Sequence, residues 1–387
     1  MNIKNNNNAL LTQNKESKSL KKELSNEYKT VHIAIFGKGL VGGTLINQII
    51  ENKSTILERK KIALHVFAIV NTKKVLLTLD SISKDWESNL LISKTYVNAV
   101  EEVVDFAKKK KLENLIAVDN TADKRFVENY ETLISEGFNL VSSNKIANTL
   151  SFEFYKNIRR SLKKYSKQYL YETNVGAGLP LIDTIRLLHD SGENITKIKG
   201  VFSGSLSYLF NQFSASKLSF SDVLNEAVAK GLTEPDPRED LGGNDVARKL
   251  LILARELDLE NELEDVVVQN LIPKNLREGT ASEFLKKLEL LDEEYRTIKE
   301  NQKPNHVLRY IGELGGDLFQ QKGDLKVSLV SVPQNTPLGS LQGSDAIFEI
   351  FTESYGEQPI VIQGAGAGAK VTARGVFGDI LRLAKHR

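Results

Sequence analysis

A glycine cluster placed between an apolar run and an amphipathic segment constrains the fold of this chain more than any other feature. The run Val31–Phe36 predicts a buried strand, and Thr44–Ile50 predicts a helix. In a strand–turn–helix unit, Gly37 permits the tight turn, Gly39 lets the backbone approach a pyrophosphate, and Gly42 allows the helix to pack closely on the strand. The cluster predicts a dinucleotide-binding turn, with a plain glycine-rich turn as the alternative. Its candidate cofactor-binding residues are Gly37, Gly39, Leu40, Val41 and Gly42.

Further apolar runs alternate with amphipathic stretches along the first half of the chain. Ala63–Val70, Leu115–Asp119 and the weaker Leu140–Ser142 each predict a strand. The segment Ser151–Tyr169 predicts a solvent-facing helix that leaves this domain. Strands separated by helices indicate βαβ units and therefore a parallel sheet. The predicted fold class is α/β, and it begins with a Rossmann-type nucleotide-binding domain.

Composition excludes several classes of protein. The 387 residues, enough for two or three domains, contain no cysteine, which excludes disulfides, thiolate metal sites, iron–sulfur clusters and a cysteine nucleophile. The 52 Lys and Arg residues nearly balance the 50 Asp and Glu residues, so nothing favours nucleic acid or a membrane surface as a partner. The Asn- and Lys-rich residues 1–30 predict a disordered polar tail rather than a signal peptide, and a cytoplasmic protein is expected.

The residues that follow the predicted second strand bear on the choice of cofactor. An acidic residue there ordinarily binds the ribose 2′-hydroxyl of NAD, whereas here Val70 is followed by Asn71, Thr72 and Lys73. Asn, Thr and Lys can bind a 2′-phosphate, which favours NADP(H) and leaves NAD(H) possible, with plain surface lysines as the alternative. Candidate residues after later strands are Asn120, Thr121 and Lys145.

The densest set of chemical groups lies between Gly231 and Lys249. Pro235 and Pro237 predict a constrained loop rather than a helix, and acidic residues surround a single arginine there. Asp245 lies four residues before Lys249 on a predicted helix, and hence on the same face. The pair is either an ordinary surface ion pair or an ammonium group controlled by its carboxylate partner, as acid–base catalysis requires.

Five longer motifs can be compared with known families. They are Val118-Asp-Asn-Thr-Ala, Ser143-Asn-Lys-Ile-Ala-Asn148, Glu172-Thr-Asn-Val-Gly-Ala-Gly-Leu-Pro180, Gly200-Val-Phe-Ser-Gly-Ser-Leu-Ser-Tyr208 and the Thr233–Lys249 segment. Together they resemble the homoserine dehydrogenase family, from about Val31 to the C-terminus, and most closely the module that is elsewhere fused behind an aspartate kinase. The resemblance implies reversible NADP(H)-dependent interconversion of L-aspartate 4-semialdehyde and L-homoserine, a step of threonine, methionine and isoleucine biosynthesis.

The resemblance also implies roles for individual residues. Lys249 matches the proton-transfer lysine and Lys145 a second lysine near the nicotinamide; with Asp245 they form the predicted catalytic set. Glu234 matches the carboxylate that receives the substrate amino group, and Ser205 stands where the family often has Thr. The predicted substrate-binding residues are Glu234, Asp240, Asp245, Gly204 and Ser205.

Two glycine-containing segments are interpreted through the same resemblance. One matches a structural, sodium-like monovalent-cation site built from backbone carbonyls, although it could be an ordinary turn; its residues are Glu172, Val175, Ala177 and Leu179. The other, Gly364–Ala369, looks on its own like a second dinucleotide loop, which would support two cofactors. The resemblance instead implies that it closes over one cofactor, with Gly366 and Gly368 as cofactor-binding residues.

The implied architecture has four parts. These are a disordered tail over residues 1–30, a Rossmann domain over 31–170, a catalytic and dimerisation domain over 171–356, and a segment over 357–387 that returns to the first domain. A homodimer or higher oligomer is expected. The printed sequence contains no kinase module, so the resemblance does not imply feedback inhibition by threonine.

Two alternative functions share features with this one. An enzyme acting on the same aldehyde from its acyl-phosphate side needs a cysteine to form a thioester, and this chain has none. A non-catalytic NADPH sensor on the same fold would keep the first glycine turn. Such a sensor need not keep Glu234, Asp245 and Lys249 together, which is how the two possibilities differ.

Overall fold

The computed structural model describes residues 28–80 and 82–385, and these residues form two β-sheets with helices packed on them. The predicted disordered tail lies almost entirely outside the described residues. Its last two residues, Lys29 and Thr30, already belong to the first strand. No helix in the described ranges is both long enough and apolar enough to cross a membrane.

The first sheet is the core of the nucleotide-binding domain. Its strands are β1 Lys29–Phe36, β2 Ile62–Val70, β3 Lys74–Leu77, β4 Lys94–Thr95, β5 Leu115–Asp119, β6 Asn139–Ser142 and β7 Tyr169–Leu170. They lie in the order β4-β3-β2-β1-β5-β6-β7. The four strands expected from the sequence are present and parallel, whereas β3 and β4 add antiparallel to one edge. This sheet confirms the predicted Rossmann-type α/β fold class.

The helices of this domain cover both faces of the sheet. They are α1 Leu40–Lys60, α2 Trp86–Ile92, α3 Ala99–Lys110, α4 Lys124–Val127, α5 Tyr130–Ser135 and α6 Phe152–Tyr165. α6 is shorter than the helix predicted over Ser151–Tyr169, because Ser166 adopts the left-handed conformation at a φ of +53° and ends it. Tyr169 and Leu170 then join the first sheet as β7. The chain therefore leaves the first domain after β7 and not along α6, as the sequence predicts.

The second sheet carries the remainder of the chain. Its strands are β8 Ile195–Val201, β9 Val267–Val268, β10 His306–Gly315, β11 Asp324–Pro333, β12 Ala346–Thr352 and β13 Ile360–Gly364, in the order β13-β12-β8-β10-β11-β9. All neighbouring strands are antiparallel except β9 and β11. The accompanying helices are α7 Leu181–Asp190, α8 Gly204–Ala215, α9 Phe220–Ala229, α10 Arg238–Leu241, α11 Asn244–Arg255, α12 Ala281–Leu285, α13 Asp292–Glu300, α14 Pro337–Ser340 and α15 Ala369–Lys385.

The C-terminal segment is shared between the two sheets. β13 pairs with β12 at the edge of the second sheet, so residues 360–364 do not return to the first domain as the boundary at residue 357 predicts. Only α15 returns, because its apolar face, which includes Val376, Phe377 and Ile380, joins the same buried cluster as β1 and α1. Nε2 of Gln48 in α1 also donates to the Lys370 carbonyl at 3.0 Å.

Candidate active site

The glycine turn between β1 and α1 brings the backbone close to a neighbouring loop. Gly37 has a φ of +90°, and a Cβ atom there would lie 2.7 Å from the carbonyl oxygen of Asn120. At Gly42, a Cβ atom would lie 1.9 Å from the carbonyl oxygen of Gly37, so the turn has no room for a side chain. A Cβ atom at Gly39 would have no contact within 4 Å among the described residues, which leaves open space beside the backbone.

The N-terminus of α1 faces this space with its backbone N–H groups. α1 begins at Leu40, which is 80% exposed, and its first turn carries no acidic residue. No side chain within residues 28–80 and 82–385 caps this helix end. Free N–H groups and the helix dipole together favour a phosphate at such an end. A cavity of about 520 Å³ opens here, lined partly by Asn71, Asn120 and Thr121.

The segment after β2 forms a hydrogen-bonded turn next to the same cavity. Oδ1 of Asn71 accepts hydrogen bonds from the amides of Lys73 at 2.8 Å and Lys74 at 2.7 Å. Nζ of Lys74 donates to the carbonyl of Ser93, whereas Lys73 is exposed beside Thr72, which lines the cavity. Asn71 therefore holds the turn, and Lys73 leaves a positive charge next to it.

A buried carboxylate organises the loops after β5 and β6. Asp119 accepts hydrogen bonds from the Thr121 amide at 2.8 Å, from Tyr130 Oη at 2.7 Å and from Asn144 Nδ2 at 3.0 Å. Burial raises the pKa of Asp119, and these hydrogen bonds oppose the rise. Asp119 has no predicted role, although a carboxylate at the end of an apolar run is a recognisable signal.

The neighbouring Asn120 has polar atoms left for a ligand. Its Oδ1 accepts a hydrogen bond from Ser143 Oγ at 2.9 Å. Its Nδ2 is buried and has no hydrogen-bond partner among the described residues. A buried donor without a partner is costly, and it fits a site that a polar ligand completes. The turn, the helix N-terminus and Asn120 thus fit a dinucleotide cofactor.

Two lysines and one carboxylate meet where the two domains face each other. Asp245, in the first turn of α11, lies 2.8 Å from Nζ of Lys249 and 3.6 Å from Nζ of Lys145. Nζ of Lys249 also donates to the carbonyl of Phe202 at 2.9 Å, a contact that the sequence did not indicate. The structure brings together all three predicted catalytic residues, and Lys145 comes from the nucleotide-binding domain.

The electrostatics of this group follow from burial and from the charges themselves. Burial lowers the pKa of Lys145, and the attraction of Asp245 only partly opposes this. For Asp245, burial would raise the pKa, but the ammonium groups of Lys249 and Lys145 hold the pKa well below its usual range. The carboxylate is therefore ionised at neutral pH and orients both ammonium groups.

A second polar group begins three residues after Phe202, whose carbonyl binds Lys249. Ser205, in the first turn of α8, donates a hydrogen bond from Oγ to Asp240 Oδ1, and Asp240 Oδ2 accepts the amide of Glu234 at 2.8 Å. Glu234 itself is exposed. The predicted loop is partly wrong, because α10 begins directly after Pro237, where a proline is compatible with a helix start.

The C-terminal glycine loop lies against the N-terminus of α8. A Cβ atom at Gly204 would lie 3.7 Å from Cβ of Ala367. At Gly366, a Cβ atom would lie 2.3 Å from Cβ of Ala346, so the loop packs tightly on the second sheet. Gly368 has a φ of +116° and turns the chain into α15. Residues 204, 205, 240 and 366–368 are thus close neighbours.

The segment predicted to bind a cation lies at the start of the second domain. The Glu172 carboxylate accepts the amides of Ile182 at 2.7 Å and Asp183 at 3.0 Å, and its burial next to Asp183 raises its pKa to about 8. Val175 and Ala177 are buried, and Ala177 has a φ of +52°. The described residues contain no cluster of three or more His, Asp or Glu side chains suited to a metal ion. The backbone carbonyls of Glu172, Val175, Ala177 and Leu179 stay the predicted ligands.

The glycine turn, the uncapped helix N-terminus and the two lysines held by one carboxylate fit an NAD(P)-dependent oxidoreductase that acts on a CH–OH group. Residues 37–172 match the family model described as homoserine dehydrogenase, NAD binding domain, and residues 180–381 match the model described as homoserine dehydrogenase. The chain belongs to the homoserine dehydrogenase family.

The curated relatives are longer proteins. The chain is 41% identical over 358 residues to bifunctional aspartokinase/homoserine dehydrogenase 1, chloroplastic, from Arabidopsis thaliana, covering 92% of this chain and 39% of the relative. It is 38% identical over 384 residues to the bifunctional aspartokinase/homoserine dehydrogenase of Haemophilus influenzae, covering 98% of this chain and 46% of the relative. The chain therefore spans less than half the length of these relatives and matches their homoserine dehydrogenase module.

Solved structures share the fold over most of the chain. A Candida auris protein of unknown function superposes with a TM-score of 0.82 at 33% identity, covering 92% of this chain and 99% of that one. A hyperthermophilic archaeal homoserine dehydrogenase in complex with NADPH superposes with a TM-score of 0.69 at 24% identity, covering 92% of this chain and 98% of that one. The second likeness shows the fold alone.

Proposed function

We propose that this chain is a homoserine dehydrogenase that interconverts L-aspartate 4-semialdehyde and L-homoserine with NADP(H). The observation that carries the proposal is the meeting of Lys145 from the nucleotide-binding domain with Asp245 and Lys249 from the second domain. Reduction of an aldehyde by hydride needs a positive group and a proton donor at the carbonyl oxygen. Two lysines held by one carboxylate at the edge of a nucleotide site supply both.

Each residue of this group has a separate role in the proposed reaction. The bound cofactor supplies the hydride for the aldehyde carbon and accepts it in the reverse direction. Lys249 donates a proton to the oxygen that becomes the hydroxyl group, and Lys145 stabilises the negative charge that develops there. Asp245 and the Phe202 carbonyl hold Nζ of Lys249 in place. In the oxidation of homoserine the proton moves back to Lys249.

The ammonium group of the substrate would bind next to Asp240 and Glu234. Asp240 is fixed by Ser205 and by the amide of Glu234, which leaves the exposed Glu234 carboxylate at the rim. Carboxylates at this position favour an amino acid over a simple alcohol, because the charged ammonium pairs with them. Gly204 and Ser205, at the N-terminus of α8, would line the same part of the site, next to Asp240.

A turnover assay tests the proposal. The purified chain should form NADPH from NADP⁺ in the presence of L-homoserine, and should consume NADPH in the presence of L-aspartate 4-semialdehyde. A Glu234→Gln variant should raise KM for homoserine more than it lowers kcat, because it weakens the ammonium site and leaves the lysines intact. NADPH binding without turnover of either substrate would instead support the non-catalytic sensor.

The choice of NADP(H) over NAD(H) forms part of the proposal. The turn after β2 carries Asn71, Thr72 and Lys73 and no carboxylate, so it suits a 2′-phosphate better than a free 2′-hydroxyl. A comparison of kcat/KM for NADP⁺ and NAD⁺ tests this point.

A monovalent cation and a homodimer are two further parts of the proposal. The buried backbone at Val175 and Ala177, with its left-handed turn, supports a carbonyl-lined cation site. Sodium chloride should then raise the melting temperature more than choline chloride at equal ionic strength. The family resemblance supports dimerisation through the second domain, and light scattering of the purified chain tests it.

A further inference from the structure

α11 is attached to the nucleotide-binding domain at both of its ends. Near its start, Asp245 lies 3.6 Å from Nζ of Lys145. About 15 Å further along the helix axis, its last residue, Arg255, makes a second attachment. The Arg255 side chain is fully buried, and its Nη1 donates hydrogen bonds to the carbonyls of Asn148 at 2.9 Å and Leu150 at 2.8 Å.

Both attachments involve the same short segment of the first domain. Lys145 begins a single 3₁₀ turn, Ile146–Asn148, and the Asn148 amide donates to the Lys145 carbonyl at 3.1 Å. The Ile146 amide donates to Asn144 Oδ1 at 3.0 Å. The carbonyls that Arg255 holds are therefore joined to Lys145 through a compact, hydrogen-bonded turn.

The other side of the Arg255 guanidinium binds groups that follow α11 in the second domain. Nη2 donates to Glu262 Oε2 at 3.0 Å and to the Asn261 carbonyl at 3.3 Å. Glu262 Oε1 in turn accepts the amide of Phe152 at 2.7 Å, at the start of α6. A planar guanidinium can join four acceptors in fixed directions, whereas a lysine ammonium at the end of a flexible chain cannot.

We propose that Arg255 is a positioning residue, which sets the separation of Lys145 from the Asp245–Lys249 pair by holding the Lys145 turn against the far end of α11. The inference rests on the proposed function, because it assigns Lys145 a part in turnover. If Arg255 instead had a purely structural role, its loss would lower activity equally with and without Lys145.

A double-mutant cycle separates these two roles. Arg255→Lys should lower kcat for homoserine oxidation about 10- to 100-fold, the range expected when a reacting group is slightly misplaced, and should leave KM for NADP⁺ unchanged. In a Lys145→Met background the same change should have almost no further effect on kcat, because the group that Arg255 positions is gone. Equal losses of kcat in both backgrounds would overturn the proposal.

Arg309 provides a matched control. It is also buried, and it donates to the carbonyls of Leu338, Gly339 and Leu341 within the second domain. Arg309→Lys should lower the melting temperature, and its effect on kcat should be the same in the wild-type and Lys145→Met backgrounds. If the effect of Arg309→Lys on kcat differed between the two backgrounds, coupling to Lys145 would not be specific to Arg255. That result would also overturn the proposal.

Hydrogen exchange tests the attachment without turnover. Amides of residues 146–150 should exchange faster in Arg255→Lys than in the wild type, while those of β1 should not change. Unchanged exchange at 146–150 would refute the attachment, whereas a wild-type chain that fails to oxidise homoserine would refute only the proposed function. Should Arg255→Lys fail to fold, Glu262→Gln removes one charged partner of the guanidinium and should give the same pattern with smaller changes.

Discussion

Lys145 and Asp245 come from different domains, and their side chains meet with Nζ of Lys145 3.6 Å from Oδ1 of Asp245. The same carboxylate lies 2.8 Å from Nζ of Lys249, one helical turn away on α11. The contact across the domains places two ammonium groups on one anion next to the nucleotide site. Any motion that separates the domains therefore separates the two lysines.

Replacement of Lys249 tests the proton-transfer role. Lys249→Met should lower kcat about 10²- to 10⁴-fold, the usual contribution of a general acid or base, while NADPH binding is retained. Lys230→Met is the matched control, because Lys230 also forms an i,i+4 ion pair, with Glu226, but this pair is exposed at the C-terminal end of α9. Steady-state kinetics and NADPH fluorescence measure both. Near-normal turnover of Lys249→Met would contradict the assigned role.

The lowered pKa of Lys145 predicts a pH effect. Burial shifts the pKa below the ordinary lysine range, so the positive charge is present at lower pH and is lost as the pH rises through the shifted pKa. The rate of aldehyde reduction should therefore fall on the alkaline side. In Lys145→Arg, which stays charged, this fall should move to higher pH even if the maximum rate is lower.

Lys199→Arg is the control for the pH experiment. Lys199 is paired with Glu349 at 3.0 Å across β8 and β12 of the second sheet, and it has no contact with Asp245 among the described residues. Its replacement should leave the alkaline fall where the wild type has it. An alkaline fall that is unchanged in Lys145→Arg as well would assign it to another group.

Two glycines of the first turn should respond differently to alanine. Gly42→Ala places Cβ 1.9 Å from the Gly37 carbonyl oxygen and should destabilise the fold by about 1–3 kcal/mol or more. Gly39→Ala meets open space, so it should leave the melting temperature unchanged and weaken NADPH binding. Gly378→Ala, in an open position of α15, should stabilise the helix by about 0.5–1 kcal/mol without affecting binding. Calorimetry and NADPH titration separate the three results.

Cofactor selectivity should depend on the charge after β2. Lys73→Glu should lower kcat/KM for NADP⁺ about 10-fold or more, because a carboxylate repels the 2′-phosphate, and should leave the value for NAD⁺ nearly unchanged. Lys60→Glu, at the exposed far end of α1, is the control and should affect neither. Equal losses of kcat/KM with NADP⁺ and NAD⁺ would show that Lys73 does not contact the 2′-phosphate.

Local pattern predicted the parts of this protein that are local in sequence. The strand–turn–helix around Gly37 and the i,i+4 spacing of Asp245 and Lys249 depend on periods of two and 3.6 residues, which can be read directly. The helix over Ser151–Tyr169 was predicted too long, because its end depends on one left-handed residue, Ser166. The hydrophobic periodicity of a sequence carries no information about the φ angle of one residue.

Long-range features could not be predicted in the same way. The contact of Lys145 with Asp245 requires two domains to face each other, and no periodicity encodes that. Arg255 was missed because a basic residue at the end of an amphipathic helix is typical of a charge that complements the helix dipole. Its four acceptors come from segments before and after α11, so only the folded chain shows that this arginine is buried.

The path of the chain into α15 has a consequence for its synthesis. The apolar face of β1 and α1 is completed by Val376, Phe377 and Ile380, which are translated after the entire second domain. A nascent chain therefore exposes this face on the ribosome until the last helix emerges, although the nucleotide-binding strands are made first. Such a surface attracts chaperones and other nascent chains. The second domain should finish folding before the first.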